Sequence, residues 1–160
     1  CDHPPDQVTL VPEKREELTT EGGLDICGNR RAIDVIKRLK AANIPVSLFL
    51  DPSPKQIDKA SELDVDAIEL HTGAYAEASN VEKNDCLATL INAGEQITKA
   101  GMLLNAGHGL TYNNVHSIAS IPQMHELNIG HSIVARSIFA GLENAVREMK
   151  ILLTNSTAVS

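Results

Sequence analysis

Five short apolar runs alternate with amphipathic stretches along this chain, and Val46-Ser47-Leu48-Phe49-Leu50 is apolar almost without a break. A strand wetted on one face alternates apolar with polar residues; a continuous run suits a parallel strand covered on both faces. The runs predict strands at 7–11, 45–50, 67–70, 102–105 and 126–129. Helical patterns fill the gaps. Asn29 can cap a helix reaching about Ala42, with Ile33, Ile36, Leu39 and Ala42 on one stripe. Ser53-Pro54-Lys55-Gln56 has the form of a capping box with proline at the first helical position, ahead of Ile57, Ala60 and Leu63. Residues 84–100 repeat Leu87, Leu90, Ile91 and Ile97 before a stop at Gly101. A short helix is expected after Thr111, with Val115, Ile118 and Ala119 inward. A last one is expected from about Arg136 to Leu153, with Ile138, Leu142, Val146 and Met149 facing in. The small polar tail 154–160 should fray. Five βα units in a row predict one α/β domain over residues 1–160 with a parallel sheet.

A doubly wound open sheet and part of a (β/α)₈ TIM barrel both fit this order. Each strand ends in polar or glycine residues: Pro12-Glu13-Lys14-Arg15, then Asp51, then His71-Thr72-Gly73, then Gly107-His108-Gly109, then Asn128 and Gly130-His131-Ser132. In a parallel β/α structure these ends share one rim. A barrel builds its site around that whole rim, whereas an open sheet concentrates function at one switch point. Polar ends on all five strands favour the barrel, of which this chain would supply about the last five βα units.

Of the 160 residues, 42 % are apolar, a globular share, and the net charge is −7. An acidic chain without a basic cluster argues against nucleic acid and anionic membranes as partners. It leaves small anionic ligands open, because backbone N–H groups bind phosphate without net positive charge. Cys1, Cys27 and Cys86 are odd in number and match no metal spacing; they read as reduced thiols of a cytoplasmic protein. The start Cys1-Asp2-His3-Pro4-Pro5 has neither a basic nor an apolar leader region.

Glu69 and His71 lie two apart on a predicted strand and so share a face, where a carboxylate and an imidazole suit acid–base work or simply fill the interior as a pair. The turn Gly107-His108-Gly109 lets backbone approach a ligand, and Thr111 can cap the helix behind it. Gly130-His131-Ser132 repeats the arrangement one strand later, matching the usual barrel phosphate site. His71, His108 and His131 fall on one rim, so a zinc site is the rival reading, although no short ligand pair organises them. His3, His116 and His125 read as surface or packing residues. The loop Thr19-Thr20-Glu21-Gly22-Gly23 follows the first strand on the same rim and is a candidate for ligand contacts.

Several of these stretches together resemble the pyridoxine 5′-phosphate synthase family. They are Val11-Pro12-Glu13-Lys14-Arg15, Thr19-Thr20-Glu21-Gly22-Gly23-Leu24-Asp25, Glu69-Leu70-His71-Thr72-Gly73-Ala74-Tyr75-Ala76, Asn105-Ala106-Gly107-His108-Gly109-Leu110-Thr111-Tyr112, and Met124 through Ile133. The resemblance implies a (β/α)₈ barrel that condenses 1-deoxy-D-xylulose 5-phosphate with 3-amino-2-oxopropyl phosphate, giving pyridoxine 5′-phosphate, inorganic phosphate and water. It implies a cytoplasmic homo-oligomer, typically an octamer, with no metal or organic cofactor. By motif, His108 resembles the proton donor and Glu69 the carboxylate that stabilises the transition state. Thr19, Gly109, Gly130 and His131 resemble ligand-binding positions. The motifs of the family's first three strands, with a His and a Glu acting as bases, are absent here. The expectation is therefore a partial catalytic set, inactive alone, with exposed strand edges that hinder folding. The alternatives are a zinc-dependent barrel hydrolase using His71, His108 and His131, and a non-catalytic phosphate-binding half-barrel.

Overall fold

A computed structural model of the chain describes residues 4–12 and 22–157. Five strands form one parallel sheet: β1 (Val8–Leu10), β2 (Val46–Leu50), β3 (Ala67–His71), β4 (Leu103–Gly107) and β5 (Met124–Asn128), side by side in sequence order. Between them run α1 (Arg30–Ala41), α2 (Pro54–Glu62), α3 (Gly73–Glu77), α4 (Lys83–Lys99) and α5 (Val115–Ala119); α6 (His131–Ala140) and α7 (Leu142–Thr157) follow β5. All five expected strands are present. Crossovers between parallel strands are almost always right-handed, so an unreversed strand order puts every connecting helix on one face. The core agrees. Leu48, Leu50, Ile68, Leu70, Leu104 and Ala106 point to the helix side, where they meet Ile36, Ile57, Ile97 and Ile118, all fully buried. The opposite face carries Ser47, Phe49, Ala67, Glu69, His71 and Asn105.

Barrel closure is the expectation the structure does not carry. Among the described residues β1 and β5 are the two edges of an open sheet, each paired on one side. A parallel β/α barrel closes with eight strands, and the described sheet has five. The order nevertheless lacks the reversal that creates the switch point of a doubly wound sheet.

Helix starts and stops follow local chemistry, with two departures from expectation. Asn29 caps α1 as predicted, its side chain accepting from the Ala32 N–H at 3.1 Å. The capping box at α2 does not form: the Ser53 side chain makes no cap bond, and Gln56 turns away. Its Oε1 accepts from Ile26 N (2.9 Å) and its Nε2 donates to Asp25 Oδ1 (2.7 Å), pinning the incoming loop. The expected last helix from Arg136 is two helices that break at Gly141 (φ +77°). The break changes axis and phase, so the predicted inward stripe is split. Met149 is buried, but Ile138 and Leu142 are 78 % and 61 % exposed. Helix α7 also continues through Thr157, past the expected end at Leu153.

At the N-terminal edge of the sheet, Asp66 accepts from Val46 N (2.7 Å) and pairs with Lys40 (3.0 Å), tying α1 to β2 and β3. No helix among the described residues is long and apolar enough to cross a membrane.

Candidate active site

The C-terminal ends of β2 to β5 line a cleft of about 570 Å³. Its walls include Phe49, Glu69, His108, Gly109, Thr111, Asn128, Gly130, His131 and Ser132. Strand register explains the convergence. Phe49, Glu69 and Asn105 are mutual partners across β2, β3 and β4, so all three side chains leave on the polar face. In β5 the register shifts: Leu104 pairs with Met124 but Asn105 with Glu126, leaving His125 as an extra residue. The shift places Asn128 opposite Gly107 and beside Glu69.

Glu69 is half-buried, and burial pushes its carboxyl above the usual range; the Asn128 amide pulls the other way by hydrogen-bonding the charged form, and Glu126 pushes it up further. Gly107 makes room for it, because a Cβ there would overlap Glu69 Oε1. His108 moves in the opposite direction. Burial, then the neighbouring His71 and His131, lower its affinity for a proton, while Glu77 opposes them. The two shifts thus run in opposite directions, each led by burial in the cleft wall.

His108 sits at φ +77° and Gly109 at φ +73°. For a histidine that backbone is strained, and such strain persists only where surroundings impose it. Here they do. The Thr72 hydroxyl, fully buried, reaches the carbonyls of Gly107 (2.7 Å) and His108 (2.5 Å). Asn114 Nδ2 donates to Gly109 O (3.1 Å), and Asn114 Oδ1 accepts from Thr111 N (2.7 Å). Ser132 Oγ donates to Leu110 O (2.8 Å), joining the two glycine turns.

The backbone N–H of Thr111 is thus occupied within the protein, its hydroxyl accepts from Asn113 N at 3.3 Å, and α5 behind it is only five residues long. The N-terminus of α6 differs: Gly130 is its N-cap, without a side-chain cap bond, and the first-turn N–H groups of a helix have no partner inside it. Gly130, His131 and Ser132 of that first turn line the cleft.

Of the predicted site residues, Glu69, His108, Gly109, Gly130 and His131 meet in this cleft. Thr19 lies outside the described residues. His71 stands behind His108, ring centroids 4.9 Å apart, with Nδ1 on Asp51 Oδ1 at 2.9 Å. No group of three or more His, Cys, Asp or Glu side chains poised for a metal ion occurs among the described residues, so the zinc alternative has no ligand set there. The expected surface positions of His116 and His125 hold, as both are exposed. Sequence reasoning missed Thr72 and Asn114 as supports of the His108 turn, and Asp51 as the partner of His71. Asp51 carried a readable signal, a lone carboxylate closing an apolar strand.

Residues 1–155 match the family described as pyridoxal phosphate biosynthesis protein PdxJ. The chain belongs to this family. It is 54 % identical over 153 residues to the pyridoxine 5′-phosphate synthase of Prochlorococcus marinus (strain MIT 9312), covering 95 % of this chain and 64 % of that protein. Against the pyridoxine 5′-phosphate synthase of Rhodopirellula baltica it is 54 % identical over 158 residues, 98 % of this chain and again 64 % of the relative. The chain therefore spans just under two thirds of these PdxJ relatives. Among solved structures, a chain of the Amycolatopsis orientalis BexX/CysO complex superposes with a TM-score of 0.54 at 15 % identity, over 80 % of this chain and 50 % of that one. Mandelate oxidase superposes with a TM-score of 0.52 at 10 % identity, over 76 % and 36 %. At such identities the likeness concerns the fold alone.

Proposed function

We propose that this chain carries the proton-donating and phosphate-binding part of a pyridoxine 5′-phosphate synthase. The reaction condenses 1-deoxy-D-xylulose 5-phosphate with 3-amino-2-oxopropyl phosphate, releasing inorganic phosphate and water. The observation that carries the reading is the meeting of Glu69, His108 and the first turn of α6 in one cleft, within a chain of this family. His108 is the proton donor. Glu69 supplies the charge that stabilises the cationic, amine-derived transition state. Gly109, Gly130 and His131 hold phosphate through backbone N–H groups and the α6 dipole, which together favour an anion. Thr19 is the further ligand contact. The sheet is five consecutive units of a (β/α)₈ barrel, a reading supported by its strict strand order and its single helix-covered face. The enzyme works in the cytoplasm as a homo-oligomer, with no metal or organic cofactor.

The test is product formation from the two substrates by a protein of the relatives' full length that carries these residues. His108→Asn keeps polarity but cannot deliver a proton at neutral pH, so turnover should fall about 10²–10⁴-fold with much less change in substrate affinity. Glu69→Gln should fall comparably. Near-full turnover in either variant removes that residue from the mechanism.

A further inference from the structure

We propose that Asp51 and His71 form a positioning pair for His108, in which the Asp51 carboxylate holds His71 as a single tautomer and the His71 ring in turn fixes the His108 imidazole at the cleft wall. The proposal rests on the reading of His108 as proton donor. His71 is well placed to act through its neighbour. Its side chain is only 10 % exposed, packed between Phe49 (ring centroids 5.2 Å) and His108 (4.9 Å). A carboxylate only accepts hydrogen bonds, so the 2.9 Å contact with Asp51 Oδ1 puts the proton of a neutral ring on Nδ1. That leaves Nε2 as a bare lone pair, and Nε2 is buried with no partner among the described residues. Buried polar atoms are normally satisfied, so an orphaned one at the back of a catalytic cleft calls for a reason.

The surroundings preserve this arrangement. A Cβ at Gly73 would stand 2.6 Å from His71 Nε2 and 2.9 Å from its Cε1, so any larger residue there would displace the His71 ring from its place beside His108. Asp51 is held by its own backbone: Ser53 N donates to Asp51 O at 2.7 Å, and Gly23 passes so close that a Cβ would overlap the Asp51 nitrogen. The charged or titratable groups acting on His108 are His71, His131 and Glu77, from β3, α6 and α3. Of these, His71 is the one whose proton is fixed by a carboxylate outside the cleft.

A pair that merely filled space would tolerate Asp51→Asn, which keeps size and hydrogen bonding. A positioning pair would not. The amide can donate to Nδ1 and move the ring proton to Nε2, a loss of tautomer control that is severely damaging in hydrolytic triads. The experiment compares wild type, Asp51→Asn and Asp51→Glu in the full-length context used for turnover. Histidine ¹⁵N resonances report the His71 tautomer and the His108 titration, beside steady-state kinetics. The expected result is an Nδ1–H tautomer in the wild type. Asp51→Asn should lose it, shift the His108 titration, and lower kcat roughly tenfold or more with KM changed by less than about twofold. Asp51→Glu should retain the tautomer and recover much of kcat. An Nε2–H tautomer in the wild type, or an Asn variant with unchanged kcat and His108 titration, overturns the pair. A wild type without turnover overturns the functional reading instead, and the resonances alone then decide on Asp51. Should Asp51→Asn unfold, the wild-type His71 tautomer decides: an Nδ1–H ring supports the pair and an Nε2–H ring overturns it.

Discussion

His108 carries its imidazole on a left-handed backbone at φ +77°, and the buried Thr72 hydroxyl is what its carbonyl meets there. Thr72→Val is nearly isosteric and removes only the donor. It should cost about 1–3 kcal/mol, the penalty of taking the donor from the part-buried His108 carbonyl, since Gly107 O keeps the Thr72 backbone N–H, while Thr72→Ser should recover most of that; denaturant unfolding of both variants gives the comparison. Glu69 poses a different question, one of pH. Its folded carboxyl titrates above the ordinary value of 4.5, so holding it ionised in the fold costs stability at neutral pH. That cost diminishes as pH falls through the raised value and is gone below the ordinary one, where both states are protonated. Glu69→Gln should therefore melt higher than wild type at pH 7, with the gap closing as pH drops towards 4.5. A gap that is absent at pH 7, or that widens on acidification, contradicts the desolvated carboxylate. A residue chosen for catalysis is commonly one the fold would be more stable without.

The elements were largely legible because their signals are local. The continuous run in β2, the Asn29 cap and the Gly101 stop each act within a few residues, and each appears in the fold. What stayed hidden depends on contacts distant in sequence. Ser53 through Gln56 has every residue of a capping box, yet Gln56 is drawn to a loop 30 residues upstream. Accordingly, Ser53→Ala should change stability by less than about 0.5 kcal/mol, and Gln56→Ala should cost about 1–2 kcal/mol by releasing Ile26 and Asp25. Thermal unfolding of the two variants separates these cases; a costly Ser53→Ala would mean the box forms in solution. The site divides in the same way. Glu69, His108, Gly109, Gly130 and His131 could be read because strand ends converge by topology, whereas Thr72 and Asn114 act through backbone carbonyls that no spacing rule reveals. The β5 bulge was equally hidden: a single extra residue, His125, decides that Asn128 rather than Leu127 joins the polar face.

Across the molecule, burial is uneven. The helix face of the sheet is dense, but α6 buries none of its residues, and Ile138 and Phe139 are 78 % and 87 % exposed. In the 160-residue chain, replacing both by serine should leave unfolding free energy within about 0.5 kcal/mol, since neither side chain loses packing. A loss several times larger would show that this face of α6 is covered in solution. The strand order has a broader consequence. Because neighbours in the sheet are neighbours in the chain, position around the rim is also position along the gene. Asp51, Glu69, His108 and Gly130 each belong to a separate βα unit. Recombination that exchanges one unit at its helix boundaries would replace one sector of the cleft and leave the rest in place. Such a chain can change what it binds piecewise, a segment at a time, without first having to reinvent its fold.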